Sequence, residues 1–120
     1  MRLDLPSLCA ICNGWGEARV CGNCRQRHVR IVSRCATCAL RVPPGVTRCG
    51  ACLHEAPPFT AAVAAVDYAF PWNTFVTGLK FHAALDLART MAGLLAGAVR
   101  QAGRPLPSCV LPVPLGRDRL

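Results

Sequence analysis

The chain of 120 residues is 52% hydrophobic and 17% charged, a composition that excludes a disordered polypeptide. Its stretches without a charged side chain, such as residues 68–79, are much shorter than the roughly 20 residues that a membrane-spanning helix needs. The first residues lack the apolar segment of a signal peptide. The sequence therefore predicts a cytoplasmic protein without membrane insertion. In a reducing cytoplasm, paired cysteines bind metal rather than form disulfides.

Four Cys-x-x-Cys pairs lie in the first half of the chain, separated by 8, 10 and 10 residues. Each pair is typical of a zinc knuckle, a tight turn that directs two sulfurs at one ion, and four thiolates form the closed tetrahedral shell of a structural zinc site. Sequential pairing predicts two structural Zn²⁺ ions, since each half of the region then repeats the same ribbon. The predicted metal ligands are Cys9, Cys12, Cys21 and Cys24 for one ion, and Cys35, Cys38, Cys49 and Cys52 for the other.

Spacing alone leaves two questions about these sites open. Loop-closure entropy favours sequential over nested or interleaved pairing by only about 0.8 kcal/mol per site, and four-cysteine sets also bind iron–sulfur clusters. None of the pairs is predicted to open a helix after a strand, which argues against thioredoxin-like redox chemistry.

Local structure around the pairs is predicted to be tight hairpins. Short strands are expected over residues 30–33 and 40–42. Gly14 together with Asn13, Gly22 and Gly50 are expected to supply the positive φ angles that such turns need, because glycine and asparagine tolerate them.

Basic residues are concentrated between the same cysteines. Seven arginines and no acid occur from Ala18 to His54, in a chain of formal net charge +8. Eight metal-bound thiolates would contribute −8 and two Zn²⁺ ions +4, so the net charge of the metal-loaded chain would be a modest +4. The arginines therefore have two interpretations: they offset two negative metal centres, or they form a face that contacts single-stranded DNA. Trp15 is the one aromatic side chain of this region that could stack on a base.

The composition changes at Pro57-Pro58, after which alanine, valine and leucine replace cysteine and arginine. The change predicts two domains. Residues 1–56 are expected to form a small metal-stabilised double zinc ribbon, and residues 57–120 an incomplete α/β segment.

The second half is predicted to fold as strand, helix, helix and strand. Residues 63–70 are rich in β-formers, and Pro71 suits the first turn of a helix over residues 72–81. Residues 85–101 form the clearest predicted helix, with helical spacing of apolar residues and a stop signal in Gly103 and Pro105. Its expected core stripe is Ala88, Met91, Ala92, Leu95, Ala98 and Val99. Residues 108–113 are predicted to be a buried strand, which makes Cys109 a small core residue.

Two parallel strands and a crossover do not make a stable domain, because parallel sheets normally have both faces covered. The second half is therefore expected to be incomplete by itself. Either a second copy of the chain or another protein covers it, or the chain is the front portion of a longer protein.

The order of these motifs resembles the ComF-type competence family. The two four-cysteine sets are followed by Val63-Ala64-Ala65-Val66-Asp67-Tyr68, by Leu79-Lys80-Phe81-His82 and by Leu111-Pro112-Val113-Pro114-Leu115. The resemblance covers essentially the whole chain. It implies a double zinc ribbon fused to a type I phosphoribosyltransferase-like domain, in a family associated with DNA uptake.

The sequence departs from the pattern of this family after Leu115. The family continues with an Arg-Gly-Phe-Asn-Gln-like segment and with an acidic, glycine-containing loop that holds phosphoribosyl pyrophosphate, whereas this sequence ends at Arg117-Asp118-Arg119-Leu120. The resemblance therefore implies a truncated N-terminal portion with no catalytic or cofactor-binding residue and no catalysis by this chain alone. Two alternatives stay open: a zinc-ribbon module that binds nucleic acid or protein, and a phosphoribosyltransferase completed by another chain.

Overall fold

The structure is a computed structural model that describes residues 5–114. Its elements, in chain order, are β1 (Ser7–Leu8), β2 (Trp15–Gly16), α1 (Gly22–His28), α2 (Gly50–His54), α3 (Trp72–Phe81), a 3-10 turn (Leu85–Leu87) and α4 (Ala88–Gln101). The strands β1 and β2 pair antiparallel, with Ser7 opposite Gly16 and Leu8 opposite Trp15. Among these helices none is long and apolar enough to cross a membrane.

The cysteine region consists of two similar ribbons, which we define as the first ribbon (residues 7–28) and the second ribbon (residues 34–54). In each, the first cysteine pair forms a turn whose next residue has a positive φ angle, 58° at Asn13 and 62° at Ala39. The second pair opens a helix, since Cys21 and Cys49 are the residues that cap α1 and α2 at their N-termini.

The expectation of positive φ angles is therefore confirmed at Asn13 and wrong for the three glycines. Within the described residues, positive φ among glycines occurs only at Gly45 and Gly103, not at Gly14, Gly22 or Gly50. The turn places its left-handed residue directly after the second cysteine, where the ribbons carry asparagine and alanine instead. Gly22 and Gly50 are instead the first residues of the helices α1 and α2, which the predicted hairpins did not include.

The strands expected over residues 30–33 and 40–42 shrink to one antiparallel bridge between Arg34 and Arg41. The Cys35 N–H donates to the Leu40 carbonyl over 2.8 Å and the Val42 N–H to the Ser33 carbonyl over 3.0 Å. Residues 43 and 44 are prolines, which have no N–H to extend the ladder. The pairing is therefore limited to the immediate neighbourhood of the turn.

Both predicted helices of the second half are present. The first is α3, with the predicted bounds, and the 3-10 turn together with α4 covers residues 85–101. Gly103, at φ 62°, lies just beyond the end of α4 as expected. The buried stripe is different, however: Leu87 and Leu94 are buried and Met91 packs against the core, whereas Ala88 and Ala92 are exposed and Leu95 is 51% exposed.

The two strands predicted for the second half do not form. Residues 63–70 lack strand structure. The chain here contacts the second ribbon instead: the Ala62 N–H, just before this segment, donates to the Thr37 carbonyl over 2.7 Å, and Asp67 pairs with Arg34. Residues 108–113 have no strand partner among the described residues and their side chains are exposed, so Cys109 is not a core residue. A strand exists only when a neighbour completes its hydrogen bonds, and neither segment has one.

The main hydrophobic core joins the first ribbon to the helices. Its buried members are Cys9, Val20, Cys24, Trp72, Phe75, Leu87 and Leu94. The Trp72 indole N–H donates to the His28 carbonyl over 3.1 Å, and its ring meets Phe75 edge to face at 5.7 Å. The division into residues 1–56 and 57–120 stays a prediction, but the first ribbon and the helices share one core.

The second ribbon has a smaller core of its own. Its buried members are Cys35, Val42 and Cys52, with Cys38 and Cys49 packed against them. Apart from cysteines, this core contains a single valine. The second ribbon therefore has little apolar surface with which to fold in the absence of a metal ion.

Candidate functional site

The structure brings the eight predicted ligands together as two clusters of four. These are Cys9, Cys12, Cys21 and Cys24 in the first ribbon, and Cys35, Cys38, Cys49 and Cys52 in the second. Within each cluster the four Sγ atoms all lie within 4.8 Å of one another. The grouping is the sequential one, and both clusters are positioned to bind a metal ion.

Distances between sulfurs match a metal site rather than a disulfide. Cys12 Sγ lies 3.8 Å from Cys21 Sγ, and Cys38 Sγ lies 3.6 Å from Cys49 Sγ. Four thiolates about 2.3 Å from a tetrahedral ion are separated by about 3.8 Å. A disulfide would bring two sulfurs to about 2.05 Å.

The backbone around each cluster is organised in the same way. In the first ribbon the Cys21 N–H points at Cys9 Sγ over 3.4 Å, and in the second the Cys49 N–H points at Cys35 Sγ over 3.3 Å. The Asn13 N–H donates to the Cys9 carbonyl over 2.9 Å, as does the Ala39 N–H to the Cys35 carbonyl. The repeat seen in the sequence is therefore a repeat of hydrogen bonding, and its N–H groups favour thiolate sulfur.

One thiol in each cluster is predisposed to ionise. Burial acts to raise the pKa of Cys9, but backbone N–H groups, chiefly those of Cys12 and Cys21, outweigh it and lower the pKa to about 6. In the second ribbon, the backbone N–H groups of Cys38 and Cys49 lower the pKa of Cys35 to about 6.

The last cysteine of each cluster is affected in the opposite direction. Burial, reinforced by the neighbouring cysteine side chains, raises the pKa of Cys24 to about 12, and that of Cys52 to about 12 for the same reasons. The raised pKa values of Cys24 and Cys52 therefore disfavour four thiolates in one cluster unless a cation compensates their charge. A divalent ion at the centre is what allows the complete set to ionise.

The donor set fits a structural metal ion. Four cysteine sulfurs fill a tetrahedral shell and leave no position for a water molecule or a substrate. The two clusters differ in access, because Cys12 is exposed whereas each ligand of the second ribbon is buried or half-buried. Bound metal would link the knuckle turn of each ribbon to the start of its helix.

Five of the seven arginines of the cysteine region fall into two groups. Arg19 pairs with Asp86, and Arg34 pairs with Asp67 over 2.8 Å. In contrast, Arg25, Arg27 and Arg30 are exposed on α1 and just beyond it, and no acidic partner for them occurs among residues 5–114. We refer to these three residues as the α1 patch.

An aromatic side chain that the sequence did not single out lies beside the α1 patch. Phe70 is 66% exposed, and its ring meets the His28 ring edge to face at 5.9 Å. The sequence of the cysteine region indicated Trp15 alone as a stacking residue, and Trp15 is 75% exposed. The sequence signal that could have indicated Phe70 was its position immediately before Pro71, at the predicted start of α3.

Compared with known proteins, the chain matches no family model, no curated protein and no solved structure. Of the segments that resemble the ComF-type family, Leu79-Lys80-Phe81-His82 lies at the end of α3, and Leu115 lies outside the described residues. The function is therefore inferred from the geometry of the two clusters and from the surface around them.

Proposed function

We propose that each cysteine cluster holds one structural Zn²⁺ ion and that the chain is a zinc-stabilised binding module of the ComF type. The observation that carries the proposal is the gathering of two sets of four Sγ atoms, each within 4.8 Å. The chemistry that the ions supply is cross-linking. An ion of this kind contributes on the order of 10 kcal/mol to folding, which replaces the hydrophobic core that the second ribbon lacks.

The ComF-type assignment is supported by the order of the motifs in the sequence. Neither residues 63–70 nor residues 108–113 have a strand neighbour among the described residues, so this chain by itself does not assemble the sheet of a phosphoribosyltransferase-like domain. A closed four-cysteine shell offers no site for catalysis either. Binding to a partner is therefore the function that these residues support best.

Metal analysis tests the zinc proposal. Elemental analysis of the protein purified without added metal is expected to give about two zinc atoms per chain, because both shells are complete. Cys109→Ser is the matched control and is expected to keep both ions, since Cys109 is exposed and lies outside the clusters. Iron in place of zinc, or only about one ion per chain or fewer, would contradict the proposal.

Single-stranded DNA is the partner that a specific observation favours. The α1 patch presents three guanidinium groups with no acidic partner among the described residues, and Phe70 adds an exposed aromatic ring next to His28. Proteins that bind single strands combine a basic track for the phosphates with aromatic rings for the bases. We therefore propose that the strand passes along α1.

A salt titration tests the DNA proposal. Arg25→Gln/Arg27→Gln is expected to weaken binding to a labelled oligothymidylate and to reduce the slope of log K against log salt by about 1.4, or about 0.7 for each phosphate that the protein no longer neutralises. The matched control is Arg89→Gln/Arg104→Gln, which removes the same charge from exposed positions on α4 and beyond it. Equal effects of the two double variants would show that net charge alone attracts the DNA and would refute the α1 site.

A further inference from the structure

A small cavity of about 220 Å³ lies where the two ribbons meet the segment that leads into α3. Its walls include His28, the last residue of the first ribbon, Arg30 just beyond it, and Arg41 from the second ribbon. The other side is formed by Asp67 and Phe70, which precede α3, and by Trp72, its first residue. We call it the ribbon pocket. Three separate parts of the chain enclose it, and none of the eight cysteines lines it.

The charge of the ribbon pocket is positive. Its one carboxylate, Asp67, is already paired through Oδ1 with Arg34, which does not line the cavity, over 2.8 Å. Arg41 Nη1 lies 3.9 Å from the other oxygen of Asp67, and the Arg41 side chain is 65% exposed. Arg30 is exposed and has no acidic partner among residues 5–114. One carboxylate thus faces three guanidinium groups, so Arg30 and the longer-range, largely exposed Arg41 leave a net positive charge that attracts an anion.

Two further walls of the ribbon pocket are the aromatic residues Phe70 and Trp72. Trp72 is 3% exposed, and its N–H is committed to the His28 carbonyl, so it offers a rigid apolar surface. Phe70 is 66% exposed and is open to stacking. Cationic groups beside an exposed aromatic ring form the combination that holds a phosphate and its base together.

We propose that the ribbon pocket binds the phosphate monoester of a nucleotide, with Arg30 and Arg41 on the phosphate and Phe70 against the base. Two sources present such a monoester. One is the terminal phosphate of a single strand, and for that source the inference rests on the proposed DNA contact. The other is a free nucleoside monophosphate, for which it does not. A monoester carries about 1.5 to 2 negative charges at neutral pH, which suits two arginines better than an internal diester with one. The cavity is smaller than the roughly 300–1,000 Å³ of pockets that enclose whole drug-sized ligands, and so suits a terminal group.

Tryptophan fluorescence provides the test. In a Trp15→Phe background, Trp72 is the remaining tryptophan, and it lines the pocket. Thymidine 5′-monophosphate is expected to change its emission in a saturable way, and thymidine to bind at least about tenfold more weakly because it lacks the charge-assisted hydrogen bonds. A 5′-phosphorylated tetrathymidylate that binds more tightly than the mononucleotide identifies a strand end as the source; the reverse order identifies a free nucleotide.

Substitutions locate the binding to the pocket. Arg30→Gln and Arg41→Gln are each expected to weaken the binding of thymidine 5′-monophosphate by about tenfold. Phe70→Leu is expected to weaken the binding of the nucleotide but not the binding of inorganic phosphate. The matched control Arg48→Gln removes an exposed arginine that does not line the cavity and is expected to change nothing. Unchanged zinc content and unliganded Trp72 emission show that each variant is folded.

Two results would overturn the inference: thymidine binding as tightly as its monophosphate, or Arg30→Gln and Arg41→Gln both behaving as the Arg48→Gln control. The failure of the pocket and the failure of the DNA proposal are distinguishable. If a 5′-hydroxyl oligothymidylate binds through Arg25 and Arg27 and the terminal phosphate adds nothing, the pocket is refuted and the DNA contact stands. If the mononucleotide binds and no oligonucleotide does, the pocket stands and the DNA contact is refuted.

Discussion

Cys24→Ser is expected to unfold the helical half together with the first ribbon, whereas Cys52→Ser is expected to unfold the second ribbon alone. The two cysteines are matched, because each closes its cluster and they are 7% and 8% exposed. Their surroundings differ. Cys24 belongs to the core that contains Trp72, Phe75 and Leu94, while the core that contains Cys52 consists otherwise of Val42 and other cysteines.

Energetics make the difference large. Losing an ion removes on the order of 10 kcal/mol, which is comparable with the roughly 5–15 kcal/mol that stabilises an entire domain. In the first ribbon this loss exposes one wall of the main core, so Trp72 and α3 lose their support. In the second ribbon the loss is confined to a unit attached by a few polar contacts, such as the Asp67–Arg34 pair and the hydrogen bond from Ala62 to Thr37.

Zinc content and Trp72 emission measure the two outcomes. In a Trp15→Phe background, Cys52→Ser is expected to keep one zinc and the emission of a buried indole. Cys24→Ser is expected to shift the emission to that of an exposed indole, and treatment of the parent protein with a strong chelator is expected to do the same. A buried Trp72 in Cys24→Ser, or an exposed one in Cys52→Ser, would show that the helical half does not depend on the first ribbon in this way.

The two cysteine clusters could be predicted from the sequence because the spacing that forms them is local. Cysteines separated by two residues place two sulfurs at one ion whatever the rest of the chain does, and repetition of the spacing indicated sequential grouping. The helices that follow could not be predicted in this way. With seven and five residues, α1 and α2 are too short to be stable in isolation or to show a periodic pattern. Each is positioned by the cluster that its N-terminal cysteines complete.

The failed strands illustrate the other limit of the sequence. Residues 63–70 are rich in β-formers, but β-propensity describes a fit to neighbouring strands rather than a backbone preference. Here the neighbours are the ribbons, and Asp67 finds Arg34 across 33 positions of sequence. Nothing in the local pattern of residues 63–70 marks that pairing. The ribbon pocket was equally beyond reach, because its walls come from three separate parts of the chain.

The α4 helix was predicted correctly from the sequence, but the face that it buries was not. Its helical spacing was evident from the sequence, and the expected stripe included Leu95 rather than Leu94. In the structure the 3-10 turn before the helix places Leu87 in the core, and Met91 and Leu94 follow it four and seven residues later. The buried face is thus set by the turn at the helix start, since residues at those intervals share one side of a helix.

Leu94→Ala and Leu95→Ala test this assignment as a matched pair on adjacent positions. Leu94 is 7% exposed and Leu95 is 51% exposed. Leu94→Ala is therefore expected to lower the free energy of unfolding by about 2–5 kcal/mol, through lost burial and the cavity left behind. Leu95→Ala is expected to cost less than about 1 kcal/mol, because surface substitutions have small effects. Denaturant unfolding of the zinc-loaded protein, followed by Trp72 emission, measures both. Equal costs would show that the Leu95 face is covered in solution, and a larger cost at Leu95 would restore the stripe expected from the sequence.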